Sequence, residues 1–396
     1  MSDYLTRALP GTGGTIKQTA EDFSVEEIPL YLPSGEGEHL YLHVEKTGLT
    51  THEMIHRLAR ALKVREREIG YAGLKDAQAT TRQYLSVTGV GPEQVAGLQI
   101  DGAEILSARR HRNKLRLGHL AGNRFVVRIR NTEPESVLRA QNILDRLSRA
   151  GVPNFFGEQR YGSLENSHLV GRAIVRGEYA SAVRTIIGDP EKIRNDRWRE
   201  AAERYRAGDP ERALKCLPGR MRNERALLHA LVAGSDHRQA VLRMPRKLLR
   251  LYLSAWQSCL FDRLVEDRLD HLGTLMTGDL AIKHENGSCF PVEEPEKEQD
   301  RAARFEISPS APLFGHKSRL AEGAVGEKEQ ALLAEEGIDT ASFDIGGGLS
   351  MPGERRAMRI PLSDCSASGD DNGLIVRFSL PSGSYATSVL REIMKT

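Results

Sequence analysis

The residues best suited to chemistry fall into three short clusters. The first, Gly70 to Gln83, reads Gly-Tyr-Ala-Gly-Leu-Lys-Asp-Ala-Gln-Ala-Thr-Thr-Arg-Gln and places Lys75 beside Asp76 among small and hydroxyl side chains. A carboxylate next to cations stays ionised and can act as nucleophile or base. An Asp that merely shapes a turn or caps a helix fits the same residues. The second cluster, Val152 to Gly162, is Val-Pro-Asn-Phe-Phe-Gly-Glu-Gln-Arg-Tyr-Gly. Aromatics, amides and an Arg between glycines suit a loop that stacks on a flipped base; a tight, aromatic-packed turn has the same composition. The third, His52-Glu53-Met54-Ile55-His56, matches HExxH, in which two imidazoles on one helix face hold zinc while the Glu activates water. No HExxHxxGxxH extension follows, and the histidines border the apolar stripe of Ile55, Ala59 and Leu62, so a helix at the edge of a core explains them as well. Two lesser patterns carry nothing: Lys46-Thr47-Gly48 has no SxxK partner, and the glycine-rich run Gly11–Thr15 lacks the GK[ST] of a P-loop.

Charge points to a partner. The net charge is only +2, but 43 of the 56 basic residues are Arg, which forks onto phosphates and stacks on bases better than Lys. Between Glu104 and Glu133 there is no acidic residue, while Arg109, Arg110, Arg112, Lys114, Arg116, Arg124, Arg128 and Arg130 all fall there. The tail of that stretch, Lys114 to Arg130, alternates apolar and polar around a glycine and predicts a β-hairpin with one cationic stripe, the footprint of a polyanion site.

The surrounding elements are mixed. Residues 14–28 and 38–46 alternate like strands, 50–63 repeat at helical spacing behind a Thr N-cap, 82–90 form a short strand and 134–149 an amphipathic helix. From about 165 to 265 the sequence turns mainly helical; 285–300 predicts an acidic loop, 343–353 a Gly-rich boundary, and strand texture returns at the end. A length of 396 residues suits two or three domains, and a helical middle between β-containing ends predicts one domain inserted into another. No apolar run approaches membrane-spanning length, Met1-Ser2-Asp3-Tyr4 does not open a secretory signal, and Cys216, Cys259, Cys289 and Cys365 are too scattered for a disulfide frame or zinc finger. A reducing cytoplasm is the expected compartment.

The first two clusters, with other segments in order, resemble the TruD family of tRNA pseudouridine synthases. The family's GLKDxxAxTxQ-like element is similar to residues 73–83, and its N-[YF]-F-G-x-Q-R-[FY]-G element to Asn154–Gly162. Further matches are IKxxxEDFxVxE at Ile16–Glu26, GNRF at Gly122–Phe125, YLSAWQSCLF at Tyr252–Phe261 and the closing Phe378–Glu392. The resemblance implies an α/β (α+β) chain with a pseudouridine-synthase fold: a mixed, largely antiparallel sheet over residues 1–165 and 345–396, and a mainly helical α/β domain inserted at 166–344. It implies isomerisation of uridine 13 of tRNA to pseudouridine, without metal or cofactor, by a cytoplasmic monomer whose partner is tRNA, with no membrane or protein partner.

By the same resemblance Asp76 is the catalytic residue. Lys17 is the first candidate for its cation and Lys75 the second; Asn154 would hydrogen-bond the detached uracil, Phe156 would stack on it, and Phe23 and Tyr385 would line the pocket. Arg110, Arg112, Arg124, Arg128 and Arg130 would hold the RNA backbone. Uracil must leave C1′, turn and rejoin through C5, so the nucleotide has to be flipped out. Asp76 would either attack C1′ or remove the 2′ proton to give a glycal. Two rival functions remain: a zinc metallopeptidase on residues 52–56, and a tRNA-binding protein without catalysis.

Overall fold

A computed structural model describes residues 4–396, apart from the side chains of Glu158 and Gln159. Met1–Asp3, on which the no-leader expectation partly rests, and those two side chains of the second cluster lie outside the described residues. The chain divides into two compact units, residues 153–359 and Tyr4–Val152 with Ile360–Thr396. The seams thus differ from the expected 165/166 and 344/345, and the Asn154–Gly162 cluster belongs with the helical unit. Hydrogen bonding explains the shift, because Asn154 N donates to Met358 O at 2.9 Å and ties the two ends of that unit together.

The sheet unit is built on strands β1 (Phe23–Pro29), β2 (His39–Thr47), β3 (Ile69–Tyr71), β4 (Thr80–Thr88), β5 (Ala103–His111), β6 (Leu120–Ile129), Ser363–Asp370 and Gly373–Pro381. Their order is Ser363–Asp370, Gly373–Pro381, β6, β1, β4, β2, β5, with β3 on β4. The pairing is mixed: β1 runs parallel to β4, while β1–β6 and β2–β4 are antiparallel. Alternation puts Phe23, Val25, Phe125, Val127 and Ile129 on one face, under Ile143, Leu144 and Leu147 of helix Ser136–Ala150 and Val389 and Ile393 of helix Ala386–Met394. Leu40, Leu42, Val44, Leu85 and Val87 continue that face beneath Met54, Ile55 and Leu58 of helix α1 (Thr51–Leu62). On the same face, at the ends of β1, β2 and β4, four polar side chains are also buried: Glu27, Lys46, Thr81 and Gln83.

Three expectations in this unit need correction. Residues 14–22 are not a strand, because Lys17 takes a left-handed backbone (φ 58°) and Ala20–Asp22 form a 3-10 turn. The segment is instead strapped down: Thr12 N and Gly13 N donate to Ile393 O and Met394 O, and Thr15 exchanges backbone bonds with Arg130. Nor do residues 114–130 form a hairpin. Only β6 is a strand there, and β5 pairs with β2 at the far edge of the sheet. The turn between them is pulled under β3 instead: Leu115 is buried and its N–H donates to Ser86 Oγ. Gly70 permits this, since a Cβ there would lie 2.2 Å from Leu115 O. Finally, the cationic stripe lacks acids only along the chain. Neighbouring strands and loops supply Glu36 to Arg112, Asp370 to Arg128, Asp22 to Arg130, and more loosely Glu26 to Arg124.

The helical unit carries Ser167–Val175, Tyr179–Ile187, Asp196–Arg206, Pro210–Cys216, Arg222–Val232, His237–Leu242 and the long Arg246–Glu266, with a sheet ordered Glu354–Ala357, Ile307–Leu313, Leu280–Lys283, Cys289–Pro291. Helix Ser167–Val175 approaches the long helix through Gly171, where a Cβ would sit 2.1 Å from Tyr252 O. The acidic stretch 285–300 is a strand, Cys289–Pro291, and the start of helix Pro295–Ala303 rather than a loop; Pro at the first helical turn with Glu296 and Glu298 favours that start. Residues 343–353 are no linker, for Phe343 and Leu349 are buried and Gly348 O accepts from Arg250. Among the described residues no helix is long and apolar enough to cross a membrane.

Candidate active site

The loop between β3 and β4 holds its backbone rigidly and its acid in the open. Lys75 turns inward, forming an ion pair with Glu27 (Nζ–Oε1 2.9 Å) whose two side chains are 6% and 1% exposed. The second oxygen of Glu27 accepts from Tyr84 N at 2.9 Å, so the pair ties the loop to β1 and β4 together. Lys75 N donates to Thr51 Oγ1 at the first turn of α1, and that hydroxyl donates to Gln83 Oε1. Lys46, wholly buried, reaches up from β2 to donate to the backbone carbonyls of Asp76 (3.0 Å) and Leu49. Burial pushes the Lys46 ammonium down to about 8, with the Asp76 charge opposing that shift. Thr47 and Thr80 close the base of the loop through their hydroxyls.

Asp76 itself is 53% exposed, and Lys17 Nζ lies 3.0 Å from its Oδ2. Among the described residues no hydrogen bond reaches Oδ1. Lys17 also sits over the ring of Phe23, 4.5 Å from the centroid. Phe23 is buried in the core and meets Phe125 edge-on, so its ring serves as a floor for the ammonium. The strap that presents Lys17 is anchored one turn later by Asp22. Its buried carboxylate accepts a forked pair of bonds from Arg130 and one from Thr19 N. The Arg130 guanidinium holds the Asp22 carboxyl below the usual carboxylate range. That stabilisation is therefore in place above the ordinary Asp pKa and is lost as pH falls through the depressed folded value.

Of the two expected cations for Asp76, Lys17 makes the contact and Lys75 pairs with Glu27 instead. Lys46 and Glu27 are not among the expected residues. A signal was present in each strand pattern. Lys46 ends the inward series Leu40, Leu42, Val44, and Glu27 ends Phe23, Val25, so both are charges at positions that alternation reserves for the core.

The HExxH residues are otherwise occupied. Glu53 closes the capping box of α1, accepting from Thr50 N and Oγ1, while His56 Nδ1 bonds Glu66 at 2.8 Å and His52 meets Tyr71 edge-on. Glu53 is thus committed to the helix cap, and among the described residues no further ligand joins His52 and His56 in a metal-holding group.

The second cluster organises its own site within the helical unit. Asn154 is buried, its Oδ1 accepting from Arg356 at 2.6 Å and its Nδ2 donating to Ala357 O at 2.8 Å. The guanidinium of Arg356 stacks 4.5 Å from the centroid of the Phe156 ring, which meets Phe261 edge-on. Phe156 N and Tyr161 Oη both donate to Asp262, and Arg160 donates to Ser258 Oγ, so the long helix fixes the loop. Burial raises the Tyr161 phenol well above its ordinary value, keeping it a donor. Tyr385 stands partly exposed at the N-cap of helix Ala386–Met394. Arg110, Arg109 and Arg116 meet no carboxylate among the described residues, unlike Arg112, Arg124, Arg128 and Arg130.

Comparison with known proteins decides the family. The family model described as tRNA pseudouridine synthase D (TruD) matches residues 1–393. The chain belongs to the TruD family. It is 59% identical over 396 residues to a protein named tRNA pseudouridine synthase D from Syntrophotalea carbinolica, covering 100% of both chains. With one of the same name from Geobacter metallireducens it shares 56% over 393 residues, covering 99% and 97%. A crystal structure described as that of a tRNA pseudouridine synthase D (TruD) from Methanosarcina mazei superposes with a TM-score of 0.89 at 29% identity, covering 100% of this chain and 96% of that one. The TruD fold, with its mixed and mainly antiparallel sheet, is thus established.

A buried ion pair with one partner removed leaves an uncompensated charge, which costs about 3–5 kcal/mol. Lys75→Met should lower stability in a urea melt by that amount, and Glu27→Gln combined with Lys75→Met should restore most of it. A single variant that melts within about 1 kcal/mol of the parent would show that the pair does not hold the loop.

Proposed function

We propose that this TruD-family chain isomerises uridine 13 of tRNA to pseudouridine, with Asp76 as the reacting group. The observation that carries the reading is a half-exposed carboxylate with Lys17 on one oxygen, the other oxygen unengaged, its own carbonyl held by buried Lys46 and its neighbour Lys75 paired with Glu27. In a stacked helix the ribose C1′ and the base edge are out of reach, so the uridine is extruded to meet it. Two balanced routes suit the residue. In one, Oδ1 bonds to C1′ while the C1′–N1 bond breaks and its electron pair leaves on uracil N1. In the other, the carboxylate takes the 2′ proton as the same bond breaks, leaving a glycal. Uracil then turns, C5 bonds to C1′, Asp76 is released or returns its proton, C5 loses its hydrogen, and N1 gains one. Product and substrate are isomers, so no oxidant or second substrate is consumed.

In this reading Lys17 orients the carboxylate and neutralises it while it waits, and Phe23 keeps Lys17 in place. By family resemblance Asn154 and Phe156, which Arg356 joins within the helical unit, are the proposed contacts of the detached uracil. Tyr385, partly exposed, lines the pocket. Phosphate contacts come chiefly from Arg109, Arg110 and Arg116, whose charges no carboxylate cancels among the described residues; Arg130 is spent on Asp22 and Arg112 on Glu36.

Incubating tRNA with the protein and with Asp76→Asn, then labelling pseudouridine chemically and mapping it, should give product at uridine 13 from the parent alone, with tRNA binding retained by both. Equal modification by Asp76→Asn removes Asp76 from the mechanism; product at another uridine corrects the position. For the RNA contacts, replacing Arg109, Arg110 and Arg116 together by Gln should flatten the slope of log affinity against log salt by about 2–3. A slope equal to the parent's would mean these arginines do not face phosphates.

A further inference from the structure

Four leucines stand in solvent on three stretches of chain that converge at the Asp76 loop: Leu30 and Leu32, Leu74, and Leu117. Hydrogen bonds and packing join the stretches. Gly118 N donates to Ala72 O at 3.0 Å, Tyr31 Oη pairs with His119 Nδ1 at 2.6 Å, and Leu120, opposite Pro29 in the sheet, comes 3.6 Å from the Cβ position of Gly73. A single exposed leucine is ordinary. An apolar rim around a polar site, with an unneutralised Arg116 beside Leu117, marks a surface that meets something both apolar and anionic. Nucleic-acid bases on their phosphate backbone are such a partner.

Leu74 is the member whose position is most tightly set. It is 60% exposed, yet its neighbour Lys75 is fixed on both its backbone N–H and its ammonium, so the backbone cannot roll Leu74 inward. Two residues of chain span at most about 7 Å, roughly two steps of stacked bases at about 3.4 Å each. If Asp76 touches the sugar of an extruded nucleotide, Leu74 on the same loop is within reach of the place its base vacated. Apolar side chains are the type that fills such a gap, since they replace stacking contacts without offering a competing hydrogen bond.

We propose, building on the isomerase reading above, that Leu74, backed by Leu117, is a wedge that enters the RNA stack beside the flipped uridine and holds the nucleotide out. It positions substrate and takes no part in bond making. The test uses the full chain and a tRNA carrying 2-aminopurine next to the target uridine, whose fluorescence rises when its neighbour leaves the stack. In the Asp76→Asn background, Leu74→Ala should abolish most of that rise. With Asp76 intact, Leu74→Ala should lower the single-turnover rate about tenfold or more, with tRNA affinity within about twofold, and Leu74→Met should recover the rate. Leu117→Ala should show a smaller loss of the same kind. A full fluorescence rise in Leu74→Ala, or a single-turnover rate equal to the parent's, overturns the wedge while leaving the isomerase reading intact. A parent protein that forms no pseudouridine overturns the isomerase reading and the wedge with it.

Discussion

A carboxylate standing in water on an eight-residue loop has no reason of its own to stay in one place. The Lys75–Glu27 ion pair answers that difficulty from below. It lies within the sheet's covered face, out of solvent, where an unpaired charge is costly and where the pair therefore fixes whatever backbone carries it. Lys46 adds a second buried cation gripping the carbonyl of Asp76 itself. The loop is thus determined by charges on its inner side, while Asp76 and Leu74 project outward from the same few residues. The strap bearing Lys17 is held separately, by Asp22 and Arg130 and by backbone bonds to the last turn of the C-terminal helix. Two independently anchored segments meet at one ion pair, so the position of the Asp76 carboxylate follows from interactions within the chain itself.

The arginines illustrate why charge counted along a chain differs from charge in space. The stretch from Glu104 to Glu133 contains no acid, yet the sheet order interleaves β6 with β1 and with Gly373–Pro381, and the acids of those neighbourhoods neutralise much of it. What is left uncancelled lies on the edge strand β5 and on the turn after it. Of that remaining charge, Arg116 adjoins the exposed Leu117 at the turn that packs against the Asp76 loop.

Local pattern carried much of this fold. Helix α1, with its Thr50–Glu53 box, and β4 followed from periodicity and capping, and Asp76 was visible as a candidate because it sits with Lys75 among small residues. Illegible features depended on contacts between distant segments. No local rule says that β5 leaves β6 to pair with β2, or that residue 17 takes a left-handed backbone, since both are settled by tertiary packing. The helical unit shows in the sequence as a change of texture, but its limits do not, because the hydrogen bonds of Asn154 to residues 356–358 join stretches about two hundred residues apart. Lys46 and Glu27 are legible in principle, since a charge at an inward strand position breaks the alternation that the core requires.

In the proposed reaction the contact that readies Asp76 is its ion pair with Lys17. Its most direct test is the single-turnover rate of uridine conversion by Lys17→Met at saturating tRNA. A charged hydrogen bond of this kind is worth about 1.5–3 kcal/mol, so the rate should fall about 10- to 100-fold with melting temperature and tRNA affinity unchanged, and Lys17→Arg should lose less. A Lys17→Met protein that converts uridine as fast as the parent would show that Lys17 plays no part in readying Asp76.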